Sequence, residues 1–317
     1  MKAQFTTTAD RGALQYGELN APHNSSNSVL IDIHYTSMNP HDWKYYEFLK
    51  QLYNSPMPLP KLLLGHDVSG LVVDVGHNVT KFNVGDEVYA MSAKAGAFAE
   101  MIAIDQRMTA LKPKNVTHEQ AATIPMAALT ALQAWRIAGL SKGARVLVVG
   151  GSGGVGVYAV QLAKAQGAEV TAVCSTKNVE LVRSLGADTV IDYTQDDCTQ
   201  GERRFDIVFD TVGTQSVDTC DGVLNFDGHF ISTLTSVGNI GRVFISRLTS
   251  LAGKNRRKLS TLLALPRATD LLNICDLIET GKVIPVVDKT FDLADLAQAM
   301  AYSKTGRTRG KISIKVR

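Results

Sequence analysis

A short apolar run, Arg145-Val146-Leu147-Val148-Val149, opens directly into Gly150-Gly151-Ser152-Gly153-Gly154-Val155-Gly156 and then into Val157-Tyr158-Ala159. Few segments constrain a chain more. The run reads as a buried strand and the stretch after Gly156 as a helix closed by Gly167, so the glycines must turn the backbone sharply between them. Gly151-x-Gly153-x-x-Gly156 has the spacing in which one glycine permits the tight turn, one lets backbone N–H groups approach a pyrophosphate, and one allows close helix–strand packing. An anion there sits on the positive end of the helix dipole. Ser152, Gly154 and Val155 complete the loop. The alternative, a merely structural glycine turn, lacks the strand–helix–strand setting present here.

The segment that follows indicates which dinucleotide is bound. An NAD site wants Asp or Glu about 20 residues on, to hold the ribose 2′-hydroxyl. Here the second strand, Glu169 to Val173, runs into Cys174-Ser175-Thr176-Lys177-Asn178, with no carboxylate before Glu180. Ser175 and Lys177 suit a 2′-phosphate, Tyr193 can add a phenolic hydrogen bond, and the expected cofactor is NADPH. The alternative for Lys177 is an exposed residue at a helix start.

Around this unit the pattern changes. Residues 1 to about 110 read as β-rich, with strands at Val29–Ile33, Val68–Gly76 and Asp86–Ala90. His118 to Ala138 reads as one helix ended by Gly139. After the glycine loop, apolar strands (Thr189–Ile191, Ile207–Phe209, Phe230–Ser232) alternate with helices (Val179–Ser184 among them). That alternation implies a parallel sheet covered on both faces. From about 266 a helix–strand–helix–strand tail ends in Lys311-Ile312-Ser313-Ile314-Lys315-Val316. The expectation is an α/β protein in which a doubly wound Rossmann domain, 121–265, is inserted into a β-rich domain made of 1–120 and 266–317.

Several function classes are disfavoured. With 33 Lys+Arg against 30 Asp+Glu, the net charge of +3 gives no reason to expect a nucleic-acid or acidic-membrane partner. The basic run Gly253-Lys254-Asn255-Arg256-Arg257-Lys258 has no interleaved aromatic residues for base stacking, so nucleic acid is an unlikely partner and a solvated face is the reading. No run approaches the ~18 apolar residues of a membrane span. Met1 to Thr8 has no signal-peptide character, and the expected compartment is the cytoplasm. The four cysteines, Cys174, Cys198, Cys220 and Cys275, form no CxxC pair and suit isolated reduced thiols.

Gly65-His66-Asp67-Val68-Ser69-Gly70 with Phe82-Asn83-Val84-Gly85-Asp86-Glu87-Val88, the glycine loop, and Ser184-Leu185-Gly186-Ala187-Asp188 together resemble the medium-chain dehydrogenase/reductase superfamily. Met38-Asn39-Pro40-His41-Asp42-Trp43-Lys44 and Pro125 to Leu132 are most similar to its quinone oxidoreductase and enone reductase branch. The resemblance implies a GroES-like catalytic domain interrupted by the Rossmann domain, an active site in the cleft between them, and a homodimer. It assigns Asn39 and Thr130, with Gly213, Thr233 and Leu234, to placing the nicotinamide. Tyr53 falls near a tyrosine that some relatives use as proton donor; proton donor and exposed loop aromatic both remain open. The metal-dependent branch holds zinc with a Cys matching Asn39–Asp42, a His matching His66 and a Cys near Pro125-Met126. Only His66 is in register, and one imidazole cannot fill a site that wants three protein ligands. No metal is therefore expected. A quinone or α,β-unsaturated carbonyl is the expected small-molecule substrate, because such acceptors take hydride without a Lewis acid. The alternative is an NADPH-binding protein with a nucleic-acid or regulatory role and little turnover.

Overall fold

A computed structural model describes residues 1–7, 12–53, 62–233 and 257–317, apart from the side chains of Leu52 and Tyr53. The chain gathers into two compact units: Met1–Met126 with Leu265–Thr280 and Pro285–Arg317, and Ala127–Ala264 with Gly281–Ile284.

The first unit begins with β1 (Lys2–Thr6), β2 (Leu14–Glu18), β3 (Ser28–Met38), helix α1 (Pro40–Tyr53), β4 (Leu62–Leu63), β5 (Asp67–Val75), β6 (Glu87–Met91), β7 (Met101–Asp105), β8 (Thr109–Leu111) and helix α2 (His118–Ala122). Strand β3 is twice as long as the Val29–Ile33 expectation, and α1 was not foreseen. Pro40 lacks an N–H and has φ preset for a helix, so it suits the first position of α1. The side chain of Asp42 accepts from the N–H of Asn39 at 2.7 Å, which closes the helix start.

The helix expected over His118–Ala138 is two helices, α2 and α3 (Pro125–Ala138). Pro125 cannot donate to the preceding turn, so α2 ends and a new helix begins there. A capping box, Thr117 with Gln120, starts α2.

The second unit continues with β9 (Arg145–Val149), α4 (Gly156–Ala165), β10 (Glu169–Cys174), α5 (Val179–Ser184), β11 (Thr189–Asp192), β12 (Phe205–Asp210), β13 (Leu224–Ser232) and β14 (Lys258–Thr261). The pairings of its described strands are parallel, in the order β11-β10-β9-β12-β13-β14. The first strand of the unit therefore lies inside the sheet with the chain wound outward on both sides, the doubly wound Rossmann order. Leu147, Val173, Val208 and Phe230 are buried in its core. Trp135 of α3 donates its indole N–H to the Ala159 carbonyl at 3.0 Å and packs edge-on against Phe209. Gly281–Ile284 return to this unit because Gln161 holds Ile284 at both ends, accepting from its N–H (2.7 Å) and donating to its carbonyl (3.0 Å).

The tail comprises α6 (Ala268–Glu279), β15 (Val287–Asp292), α7 (Leu296–Lys304) and β16 (Lys311–Lys315). Strand β16 pairs antiparallel with β3, with Ile312 opposite Met38, inside a seven-stranded sheet ordered β15-β16-β3-β5-β6-β8, with β7 also on β3. The last strand of the chain thus lies beside one of its first.

Candidate active site

The glycine segment forms a cradle at the carboxyl ends of β9 and β12, where the winding direction of the sheet reverses and ligands bind in folds of this order. Space in it is measured in single atoms. A Cβ on Gly156 would fall 2.0 Å from the Gly150 carbonyl oxygen, and one on Gly150, whose φ is +83°, would fall 2.3 Å from Val212 Cγ2. At Gly153 an added Cβ would meet only the Gly150 oxygen, at 3.4 Å, so this glycine leaves the backbone open to an approaching group. Among the described residues, none accepts from the N–H groups of Gly154 or Val155, just ahead of the α4 N-terminus. A close turn, open backbone and unengaged amides at a helix start fit a dinucleotide pyrophosphate.

Three side chains that sequence reasoning missed shape this cradle. Asp210, fully buried at the end of β12, accepts from the N–H groups of Val212 (2.9 Å), Gly213 (2.8 Å) and Gln215 (2.7 Å). It thereby fixes the loop carrying Gly213, whose φ is +88°. Thr211 ties that loop to β9 by donating to the Val149 carbonyl at 2.8 Å. Asn178, buried, donates to Ser152 Oγ at 3.0 Å and to Ser175 Oγ at 3.3 Å, joining the glycine loop to the turn after β10. The available signals were an acid ending a strand just before a Thr-Val-Gly turn and an asparagine at a helix start.

Of the residues expected to select the cofactor, Ser175 is half-buried, while Lys177 and Tyr193 are exposed after β10 and β11. Tyr193 donates its N–H to the Cys174 carbonyl at 3.0 Å, which brings the two strand ends together. Asp192, at the end of β11, is a nearby carboxylate that the sequence reading did not weigh. It accepts from the N–H of Thr194 at 3.0 Å and the hydroxyl of Thr194 at 2.8 Å, and hydrogen bonding with Thr176 and Thr194 lowers its pKa. Thr233 donates its hydroxyl to the Thr211 carbonyl at 3.3 Å, beside Gly213. Thr130 is buried in α3. Leu234 and the Tyr53 side chain lie outside the described residues, as do Gly253 to Arg256 of the basic run. Arg257 is paired with Asp221 and donates to the carbonyls of Asp221 and Leu224, so its guanidinium is engaged within the fold.

In the first unit, Asn39, Asp42, His66, Asp67 and Lys311 gather, all buried. Asp67 accepts from Ser37 Oγ (2.8 Å), Asn39 Nδ2 (2.9 Å) and the N–H of Met126 (2.8 Å), and lies 3.7 Å from Lys311 Nζ. This carboxylate sits at the N-terminus of α3, where the helix dipole favours negative charge. Lys311 donates to Asn39 Oδ1 and more distantly to the Met38 carbonyl. Both ends of the Asn39 carboxamide are therefore taken up inside the protein, an arrangement not anticipated for a residue assigned to the nicotinamide. Burial pushes the Asp42 carboxyl up to about 6, and its Oδ1 has no hydrogen-bond partner among the described residues.

Lys311 escaped sequence reasoning for a specific reason. Lys-Ile-Ser-Ile-Lys alternates as a strand with one wet face, yet β16 is buried from Lys311 through Ile314. At the position matching the zinc-ligand histidine, His66 donates Nδ1–H to the Ser92 carbonyl (2.8 Å) and its ring centroid is 5.0 Å from that of His41. Burial, with the neighbouring His66 and Lys44, lowers the His41 pKa. Among the described residues, no three His, Cys, Asp or Glu side chains converge as a metal site would require.

Residues 25–114 match the alcohol dehydrogenase GroES-like domain, and residues 185–314 match the zinc-binding dehydrogenase family. The chain belongs to the medium-chain dehydrogenase/reductase superfamily, in its quinone/enone oxidoreductase branch. It is 33% identical to a chloroplast envelope quinone oxidoreductase homologue of Arabidopsis thaliana, over 95% of this chain and 93% of that one. It is 36% identical to an NADPH-dependent alkenal/one oxidoreductase of the same plant, over 92% of this chain and 73% of the relative. The solved quinone oxidoreductase of Coxiella burnetii superposes with a TM-score of 0.85 at 28% identity, covering 100% and 99% of the two chains.

Proposed function

We propose that this chain is an NADPH-dependent oxidoreductase that reduces quinones or the C=C bond of α,β-unsaturated carbonyls without zinc. The observation that carries the reading is the glycine cradle, whose close turn leaves no room for a side chain at Gly156 and whose Gly154 and Val155 N–H groups have no acceptor among the described residues. The bound nicotinamide would supply the hydride, from C4 to the electron-poor carbon or quinone ring. Within this reading, Gly151 to Gly156 hold the pyrophosphate, and Ser175, Lys177 and Tyr193 receive the 2′-phosphate. Asp210 keeps the Gly213 turn in shape, while Gly213, Thr233, Leu234 and Thr130 position the ring. Asn39 acts on the acceptor side, and Tyr53 is the candidate donor of the final proton. Hydride transfer leaves charge on the acceptor oxygen, where a preorganised N–H donor lowers the barrier.

Zinc independence is part of the proposal. It rests on the absence of thiolates at the two matching positions and on Asp67 being committed to Lys311, Asn39 and Met126. A cytoplasmic location and a homodimer belong to it as well.

The test is a panel of quinones, enones and short enals with NADPH and NADH, read by cofactor absorbance. NADPH-dependent turnover that survives chelation is expected, and Lys177→Ala should raise KM for NADPH about tenfold while leaving that for NADH within about twofold. Inert quinones and enones, with zinc-dependent oxidation of simple alcohols, would overturn the reading.

A further inference from the structure

The Asn39 carboxamide is held between two groups of opposite hydrogen-bonding character. As an ammonium, Lys311 Nζ can only donate, and it donates to Asn39 Oδ1. An ionised Asp67 can only accept, and it accepts from Asn39 Nδ2 at 2.9 Å. A flipped amide would set its NH2 against an ammonium and its oxygen against a carboxylate, so one orientation is selected at both ends. The Asn39 backbone is fixed too, through its N–H to Asp42. What remains is the second Nδ2 hydrogen, for which the described residues offer no acceptor.

The register supplies Lys311 for this purpose. One step beyond the Ile312–Met38 pair, β16 places Lys311 across from Asn39. Gly310 sets the entry to β16: its φ is +85°, and a Cβ there would fall 2.4 Å from the Val286 carbonyl oxygen. Lys311 then donates its own N–H to that same oxygen at 2.9 Å.

We propose that Lys311 is a positioning residue for the reduction: by locking the Asn39 carboxamide it aims the free Nδ2–H at the carbonyl oxygen of the acceptor, where charge develops. The inference rests on the quinone/enone reading above and assigns a residue that neither the fold nor the relatives' names point to. Lys311 acts only through Asn39. Its removal should therefore slow the chemical step without loosening the nucleotide, and should have no effect once Asn39 is gone.

The experiment is a double-mutant cycle on kcat with saturating NADPH and either 1,4-benzoquinone or methyl vinyl ketone. Lys311→Met should lower kcat about 10²-fold, the scale of a misplaced catalytic group. KM for NADPH should stay within about twofold. The Lys311→Met/Asn39→Ala pair should be no slower than Asn39→Ala alone. If Lys311→Met alone does not fold, the charge-neutral Lys311→Met/Asp67→Asn protein replaces it in the same cycle. Multiplying losses, or an unchanged kcat in Lys311→Met, overturns the proposal.

A second readout does not need turnover. In protein carrying nitrogen-15 asparagine, the side-chain NH2 pair that disappears in Asn39→Ala should be sharp and exchange-protected in wild type, and averaged or broadened when Lys311 is replaced. An unchanged pair overturns the proposal even if quinones and enones prove inert, which would separately remove the functional reading.

Discussion

The nucleotide cradle and the Asn39 cluster are built in opposite ways. The cradle is made of backbone, and its decisive residues are those with nothing beyond Cα, drawn from one continuous stretch between β9 and α4. The cluster is made chiefly of side chains, from β3, the turn into α1, β5 and β16, joined by the Met126 N–H at the start of α3, each satisfying another's charge or hydrogen bonds. The first kind of site is damaged by adding an atom, the second by removing one. The consequences should differ as well: loss of ligand in one case, loss of the folded state in the other.

The sharpest contrast comes from Asp67→Ala. It leaves the Lys311 ammonium buried without its carboxylate and removes the Asp67 carboxylate that accepts from the Met126 N–H. Breaking a buried pair on one side costs about 3–5 kcal/mol, so the variant should show a large fall in unfolding free energy in urea. NADPH affinity of the protein that remains folded should be within about twofold of wild type. Comparable losses of affinity and stability would erase the distinction.

Gly156→Ala is the converse. Its Cβ cannot coexist with the Gly150 oxygen 2.0 Å away, so the loop must open. NADPH binding, followed by nucleotide fluorescence, should weaken by about 10²-fold, close to 2.7 kcal/mol. The urea midpoint should move much less than in Asp67→Ala. An unimpaired Kd would mean that the cradle does not hold the pyrophosphate.

The smallest effect tests whether the second unit also carries a side-chain liability. His229 on β13 is buried, with Nε2 2.8 Å from Ser260 Oγ, and burial, then Lys258, lowers its pKa to about 4. Its unfolded value is near 6.5, so the unfolded chain binds the extra proton first as pH falls. Stability from a neutral His229 is complete above about pH 6.5 and is lost as pH drops towards 4. Thermal midpoints should fall over that window, and His229→Gln should flatten the fall. A slope identical in both proteins would assign the acid sensitivity elsewhere.

The same contrast explains what could be read in advance. The cradle was legible because the glycines, the apolar strand and the helix are neighbours in sequence, and the missing acid after β10 is equally local. The parallel winding followed from apolar strands alternating with helices. Asp67 stood within a recognisable motif, but its partners come from three other segments, Ser37 and Asn39 from one, Met126 and Lys311 from two more, and no local pattern joins them. Lys311 was hidden further by an alternation that assigns lysine to solvent, when β16 lies between β15 and β3 with both faces covered. Pro125 was visible, yet the apolar spacing on either side carried the reading of one helix across it.

Strand β16 also imposes a timetable. Asn39 and Lys311 are 272 residues apart, an interval of roughly 15–50 s at a synthesis rate of ~5–20 residues per second. Residues 145 to 213, which form the cradle, emerge well inside that interval. Throughout it Asp67 has no Lys311 to meet and the Asn39 amide has only one end held. The glycine turn is thus written in one stretch of synthesis, whereas the Asn39 cluster is completed only when β16 pairs with β3.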